Sequence, residues 1–561
     1  MTAGPTTVVP FGDRALLAST PDVASAHDLA TRVVDGRDAG RAPTVVEDVV
    51  VGFASVLVVL GPDPDDVDLP AVAGWLTGLA AAPGRAAVPV RRVVHHLPVT
   101  FDGADLDEAA ERAALTPEQV AGLLVDAELD VALVGFAPGF PYLTGLPPAL
   151  AALPRRASPR TTVPAGSVAV AGGFAAVYPR ATPGGWLLLG RTPVSLFDPG
   201  RPPYSLVAPG DRVRFHVVGD SPADIPGATH DGDRPRLDHR GPSALEVLDP
   251  GLLSLVQDAG RPGTAGLGVP RAGAADARSL ALANLLVGNR SDDAAVEGTA
   301  TGPTLRLVGA GHVAVVGDGP GAVDVRVDGR PVPDGAVVPV DDGQVVGVGP
   351  VRRGLRAYLA VAGGLRTPVV LGSRSSDVLA GLGPGPLRPG DRLARGAPGR
   401  ARGHLDLTPG PDDPPIRLRV LPGPHARGAD GTGDDRFHRL ATTAWRVGDA
   451  VDRIGVRLVP VDGTTGPGPA PRGSFPMVTG AVQVPPDGRP VVLLPDHATV
   501  GGYPVVACVI TADLHRLGQL RPGDPVALAP VGLADAVAAR VRARQSVGSR
   551  VSGWFPTTAG T

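Results

Sequence analysis

Gly166-Ser167-Val168-Ala169-Val170 leads to Thr182-Pro183-Gly184-Gly185-Trp186, and near the other end of the chain Gly480-Ala481-Val482-Gln483-Val484 leads to Thr499-Val500-Gly501-Gly502-Tyr503-Pro504. Each copy then meets a Pro-Gly-Asp turn before another apolar segment, at Pro209-Gly210-Asp211 and Pro522-Gly523-Asp524, and a third such turn stands at Pro389-Gly390-Asp391. Short apolar runs between such turns read as strands, and their recurrence reads as related β-barrel units. With 77 Gly and 63 Pro in 561 residues, composition alone yields some Pro-Gly-Asp triplets, so the argument rests on the paired glycine-glycine-aromatic motifs. Trp186 and Tyr503 are therefore expected at corresponding places in two similar barrels, each beside a concave surface.

Aromatic residues make up only 4% of the chain, yet Phe136, Phe140, Tyr142, Tyr178 and Trp186 gather between Val134 and Pro193 among glycines and prolines. Proline fixes φ and glycine permits positive φ, so this stretch predicts shaped loops forming the wall of a binding site.

The length implies three to five domains, and 43% hydrophobic residues suffice for real cores. A net charge of −4, with basic residues scattered along the chain, predicts neither nucleic acid nor an anionic membrane as partner. No apolar run reaches the roughly 18 residues that span a bilayer, and no charged segment precedes an apolar core at the amino terminus, so a cytoplasmic location is expected. Cys508, the single cysteine, lies in VVACVIT and reads as a buried thiol. All 52 basic residues are arginine. A Walker A loop and a Schiff-base mechanism both need lysine, so both are excluded from this chain.

Elements alternate at the start: a strand at 14–18, a helix at 23–34, a strand region at 45–60, a helix at 69–82 and a strand at 91–99, as in a small ferredoxin-like α+β layer. Thr116-Pro117-Glu118 opens a further helix with an N-cap and a proline at its first position. Residues 131–216 imply an antiparallel barrel. The predicted organisation is a domain at 1–90, a barrel at 91–218, a linker at 219–243 rich in Asp, Pro and Gly, a β-rich domain at 244–400 with a helix near 276–286, a second barrel at 401–545, and a tail at 546–561.

Among polar residues, Gln257, Asp258 and Arg261 follow a strand-like LLSLV and sit among glycines, which admits close backbone approach to a ligand. Arg160, Arg180 and Arg191 flank the aromatic loops, and Arg374 lies in GSRSSD. Taken singly each arginine reads as an ion pair; as a set on Gly/Pro loops they favour an anionic small molecule, because the guanidinium fork matches carboxylate and phosphate. Asp276, Glu297 and Asp496 could hold Mg²⁺, act as base, or cap helices and turns. His95 and His96 alternate faces of a strand and cannot share one metal. No Cys/His spacing suits zinc.

Several of these segments carry a resemblance. GFAPGFPYL, PRTTVPAGSVAVAGG and TPGGWLLLGRTP resemble the allophanate hydrolase subunit 1 family, which includes the B subunit of 5-oxoprolinase and the Kip-type kinase inhibitors. VQDAGRPG, GVPRAGAAD, ANLLVGN, GSRSSD, GAVQVPPDGRP and DHATVGGYP resemble the subunit 2 family, which includes the C subunit of 5-oxoprolinase and the Kip antagonist. Together they cover nearly the whole chain in the order of a B–C fusion within the 5-oxoprolinase/urea amidolyase family. The resemblance implies an α+β, β-rich fold, with a ferredoxin-like layer followed by cyclophilin-like barrels. It further implies use of ATP and Mg²⁺ to phosphorylate the lactam oxygen of 5-oxo-L-proline, with a separate LamB/YcsF-like A subunit completing ring opening to L-glutamate. Asp258, Glu297 and Asp496 are then the catalytic candidates. Phe140, Tyr142, Arg160, Arg180, Trp186, Arg191, Gln257, Arg261, Asn284, Arg374, Gln483 and Tyr503 are the candidates for binding the carboxylate substrate and nucleotide; homo-oligomerisation is a further possibility.

Two other readings stay open: a carboxyltransferase partner of a separate biotinylated carrier, as in urea carboxylase, and a non-enzymatic histidine-kinase regulator. Without lysine, the chain itself can neither carry biotin nor use the lysine-containing triad of amidase-signature hydrolases. Three departures from the family pattern bear on catalysis: Leu124 where the B-type motif places a histidine, Leu129 in place of a tyrosine, and Pro384-Gly385-Pro386-Leu387 where Gly-Arg is expected.

Overall fold

The computed structural model describes residues 6–61, 69–82, 93–218, 237–399, 401–405, 414–427, 435–463, 468, 473–549 and 551–554. Most of the expected linker, 219–236, lies outside them. Its remainder does not behave as a linker, because Asp238 bridges in parallel to Arg392 and Arg392 N donates to Leu237 O at 2.6 Å. Residues 237–243 thus belong to the unit that follows.

At the amino terminus four antiparallel strands, Thr7–Pro10, Ala15–Ser19, Ser55–Leu60 and Val46–Gly52, lie side by side in that order. Period-two alternation gives the sheet two apolar faces. Leu16, Ala18, Val56 and Val58 pack under the helices Val23–Asp38 and Leu69–Ala81, while Phe11, Leu17, Val50 and Leu57 join a larger cluster with residues of two barrels. Asp22 caps the first helix through Ser25 N, and Thr116 and Gln119 form a complete capping box on Pro117–Asp126.

The first barrel contains, in chain order, strands Val94–Val99, Leu129–Val134, Pro141–Thr144, Ser167–Ala171, Phe174–Val177, Leu187–Arg191 and Arg212–Val217. Counting them one to seven, neighbours run 6-4-5-3-2-7-1, and the Thr100–Arg191 bridge joins the ends. The last barrel contains Ile416–Pro422, Trp445–Val451, Gly455–Pro460, Ala481–Gln483, Val491–Leu493, Val505–Val509 and Pro525–Pro530, closed in the same cyclic order. In both, the first and seventh strands pair in parallel. A small ribbon repeats as well, Arg160–Val163 with Thr182–Gly184 and Phe475–Pro476 with Val500–Gly501. The repeat read from the sequence is therefore a duplicated topology. Leu124 and Leu129 are fully buried in the core of the first barrel, so both departures supply packing there.

Between the barrels, residues 244–394 form a six-stranded and a five-stranded sheet, the latter covered by helix Ala277–Leu286. All three Pro-Gly-Asp turns are built alike. Gly210, Gly390 and Gly523 have φ of +93°, +87° and +91°. Each aspartate accepts from the backbone N–H three residues earlier, Ala208, Arg388 and Arg521, at 3.0, 2.8 and 2.8 Å. Each aspartate carbonyl also accepts from a valine of the second strand or its counterpart, Val131, Val247 or Val447.

Candidate functional site

Strand Leu253–Gln257 ends at a glycine-rich segment, 258–276, that leaves its own sheet and is held by every other part of the fold. Gly263 N and Ala265 N donate to the Asp48 carboxylate at 3.1 and 2.9 Å, and Arg271 pairs with Glu47, both on the amino-terminal sheet. From the first barrel, Gly139 N donates to Leu267 O at 2.9 Å. Gly268 has φ +75°, and a Cβ there would lie 2.5 Å from Ala137 O, so glycine is required twice over. On the last barrel's side, Ala272 N donates to Pro495 O at 3.1 Å and Arg453 Nη2 donates to Gly273 O at 2.5 Å. Residues 135–140 and 452–454 are equivalent loops, joining strands two and three of the two barrels, and both grip this segment.

Asp258 is tied to GSRSSD. It accepts from Ser373 Oγ at 2.6 Å, Ser375 Oγ at 2.5 Å, Arg374 N at 2.6 Å and Gly260 N at 2.8 Å, so both oxygens are committed to shaping the loop. Asp258, a catalytic candidate from the sequence, thus orders this loop. Arg374 turns its guanidinium to Thr367 O. Arg261, fully buried, donates from Nε to Val370 O at 3.1 Å and from Nη2 to Ser375 O, while Nη1 has no partner among the described residues. Gln257 donates from Nε2 to Ser376 O at 2.9 Å, and its Oε1 is likewise unpartnered. Arg180 of the first barrel reaches the same loop, since a Cβ on Gly381 would meet its Nη1 at 2.3 Å.

Beside this loop lies a buried charge network. Arg453 holds Asp496 with two bonds of 2.8 and 2.9 Å and Glu297 with one of 2.5 Å. The other Glu297 oxygen accepts from Tyr358 Oη at 2.7 Å and Ala275 N at 3.0 Å, and Arg356 Nε stands 3.5 Å from the first. Burial works to raise Glu297, but Arg453 and Arg356 overcome it and hold the carboxyl below its ordinary range. Asp496 goes the other way, pushed up to about 7 by burial, with Asp377 and Glu297 as neighbouring negative charges acting against the pull of Arg453. Asp377 is also raised, by burial, against its hydrogen bond from Ala380 N and the arginines 261, 453 and 180. Its Oδ1 accepts from Ala380 N at 2.8 Å; its Oδ2 has no partner among the described residues. Asp276 caps helix Ala277–Leu286 and accepts from Gln519 Nε2 at 2.8 Å.

The other sequence candidates lie apart from this cluster or serve packing. Phe140, Tyr142, Tyr178 and Trp186 stack edge-on with centroids 5.2–5.7 Å apart and are at most 6% exposed. The rings expected to wall a binding site therefore pack on one another as a core, with edge-to-face contacts closing the space between the loops. Arg160 bonds Asp105 at 2.6 Å, and exposed Arg191 bonds Asp102 at 2.8 Å. Asn284 braces its helix to the next turn through Asp293 O and Asn289. Gln483 donates to Met477 Sδ at 3.3 Å. Tyr503 occupies the place equivalent to Trp186 but is 42% exposed, which corrects the expected equivalence in surroundings. His95 meets Asp211 at 3.0 Å, and Cys508 is buried. An open cleft of about 410 Å³ on the last barrel, lined by Pro422, Gly423, Pro424, Ala426, Arg427, Asp435 and Phe437, contains none of the predicted site residues. Among the described residues no group of three or more His, Cys, Asp or Glu is arranged to hold a metal, and no helix is long and apolar enough to cross a membrane.

Sequence reasoning missed Arg453, Arg356, Tyr358 and Gln519 altogether, and it named Asp377 only as the end of GSRSSD. A signal for Arg453 existed: it stands between strands two and three of the last barrel, where the first barrel has its Gly-Phe-Ala-Pro loop.

Comparison with known proteins accounts for both parts. Residues 6–207 match the family described as carboxyltransferase domain, subdomain C and D, and residues 267–530 match carboxyltransferase domain, subdomain A and B. The chain is 36% identical to the C subunit of 5-oxoprolinase from Escherichia coli K12 over 53% of its own length and 94% of that protein. It is 42% identical to the B subunit of 5-oxoprolinase from Escherichia coli O157:H7 over 33% of its length and 82% of that protein. A crystal structure titled TTHA0988 superposes with a TM-score of 0.78 at 36% identity, covering 94% of this chain and 99% of the other. The chain belongs to the carboxyltransferase-domain family that includes the B and C subunits of 5-oxoprolinase, as a fusion in B–C order.

Proposed function

We propose that this chain is the fused B–C component of an ATP-dependent 5-oxoprolinase, which activates 5-oxo-L-proline for ring opening to L-glutamate with a separate A subunit. One observation carries the reading: B-like and C-like parts follow each other in one chain, and the C-like glycine-rich segment is clamped by B-like residues Asp48, Glu47 and Gly139. A five-membered amide resists hydrolysis; phosphorylation of its oxygen makes that oxygen a leaving group. The arginines at the junction suit the work, because fixed cationic donors stabilise charge spread over a transferring phosphoryl group. Arg261 has an open N–H, and Arg180 lies against the same loop. Asp496, pushed up to about 7 by burial, can hold a proton near neutrality. Mg²⁺ enters this proposal as an ion that the phosphate oxygens of the nucleotide would mainly carry, as is usual for nucleotide-bound magnesium. The test is to purify the chain with its cognate A subunit and measure glutamate formation from 5-oxo-L-proline. Product that depends on ATP and on both proteins is expected; no ATP-dependent glutamate with any cognate A subunit removes the reading.

A second reading is favoured by the family description itself: carboxyl transfer from a separate biotinylated carrier. Carboxylation of an amide substrate that requires a carboxybiotinyl protein, with no glutamate formed, would establish it instead.

A further inference from the structure

Three polar atoms near GSRSSD are buried without a hydrogen-bond partner among the described residues: Arg261 Nη1, Asp377 Oδ2 and Gln257 Oε1. Their side chains belong to residues with no measurable exposure. Beside them Asp258 accepts four hydrogen bonds, so the loop that carries the open atoms is itself firmly held. Buried polar groups left unpaired are uncommon, and a cluster of them asks for a missing partner. All three are fixed from behind. Gln257 Nε2 is held by Ser376 O, Arg261 Nη2 by Ser375 O, and Asp377 Oδ1 by Ala380 N, so the three side chains are anchored at one short backbone run, 375–377, and its next turn. Arg261 and Asp377 attract one another electrostatically, yet among the described residues they form no direct ion pair.

The open set is one donor and two acceptors. A carboxylate or phosphate satisfies only the donor and faces the acceptors with repulsion. An amide whose C=O and N–H lie on the same side satisfies both kinds at once, its oxygen on Arg261 and its N–H on Asp377. We propose that Arg261 and Asp377 are the recognition point for a cis N–H amide, the group shared by lactams and ureas. For the lactam as the natural source this rests on the 5-oxoprolinase reading; for the amide group itself it rests on the unpartnered atoms alone.

The test is binding, measured on the whole chain by saturation-transfer NMR and titration without ATP or any A subunit, using 2-pyrrolidinone, N-methyl-2-pyrrolidinone and urea. The lactam should bind, and N-methylation, which removes the hydrogen but keeps the ring, should weaken binding at least tenfold. Binding of urea but not of the lactam supports the amide site with a ureido ligand. Asp377→Asn tests the acceptor: its remaining oxygen must take the Ala380 N–H, which puts an NH₂ where an acceptor stood. That variant, confirmed as folded by circular dichroism, should bind the two lactams equally weakly. If the N-methyl compound binds as well as the parent in the wild type, if D377N binds the lactam undiminished, or if none of the three probes binds, the assignment is overturned. Lactam binding without ATP-dependent glutamate would overturn the proposed function and leave this site standing; turnover with no effect of D377N would do the reverse.

Discussion

Replacing Arg453 by methionine removes a cation from the junction while keeping most of the side-chain volume. The native guanidinium donates four hydrogen bonds, two to Asp496, one to Glu297 and one to Gly273 O, and is 6% exposed. Its loss strands two carboxylates that are 2% and 1% exposed. Breaking a buried pair by removing one partner costs about 3–5 kcal/mol, because the abandoned charge stays out of water. The deficit should also depend on pH in a defined direction. Asp496 already lies near 7 in the folded state against an ordinary 3.8, so its ionisation opposes folding, and stability is gained as pH falls from about 7 towards 4. Glu297 lies below its ordinary 4.5 and contributes stability above that value, which is lost as pH falls through its folded value. Without Arg453 its shift turns upward and it joins Asp496 in opposing folding at neutral pH. Chemical denaturation followed by tryptophan fluorescence should therefore give a deficit of about 3–5 kcal/mol at pH 7.5, narrowing by pH 5. Adding Glu297→Gln and Asp496→Asn to Arg453→Met should recover much of the loss at pH 7.5. A deficit under about 1 kcal/mol, or one indifferent to pH, would refute the claim that these carboxylates depend on Arg453 for their charge.

Gly268→Ala should destabilise by about 1–3 kcal/mol, as overpacking against a backbone atom does, and raise hydrogen exchange at 135–140; Gly172→Ala, also at positive φ but with nothing within 4 Å of its added Cβ, should cost less, and equal losses would deny the close approach to Ala137. Among the turn aspartates, Asp524→Ala should lower stability by roughly 1 kcal/mol and Asp211→Ala by more, since Asp211 also binds Val93 N and His95; a larger loss at Asp524, read from denaturation midpoints, would contradict the shared turn design.

Much of this architecture was legible because glycine and proline carry backbone instructions locally. The Pro-Gly-Asp turns read in the sequence all place glycine at positive φ and aspartate over the preceding N–H, and Thr116 and Asp276 cap the helices they precede. What a motif cannot carry is the environment supplied from far along the chain. Trp186 and Tyr503 follow the same two glycines, yet Trp186 packs on Phe140 and Tyr142 while Tyr503 stays at the surface. The reason lies in the equivalent loops: the first barrel brings Phe136 and Phe140, whereas the last brings Asp452, Arg453 and Ile454, which offer no aromatic cluster. Arg453 was invisible for the same reason, because its partners Glu297 and Asp496 stand 156 and 43 residues away. Asp258 was legible as important while its partners were not, since only the fold brings Ser373, Arg374 and Ser375 onto both its oxygens.

The duplicated barrels also explain why polar contacts from the rest of the fold converge on the segment 258–276. Two copies of one loop, facing it from different barrels, have diverged in opposite chemical directions: residues 135–140 offer backbone and aromatic bulk, and residues 452–454 offer a cation. A glycine-rich segment between them can be approached by backbone on one side and drawn into a charge network on the other, which a segment bearing larger side chains could not do. Among the described residues, the B-like part contributes Asp48, Glu47 and Gly139 to this grip on the C-like segment. Joining the halves raises their effective concentration and removes the cost of finding one another. Fusion in this chain therefore favours assembly of the contact in which the glycine-rich segment is held.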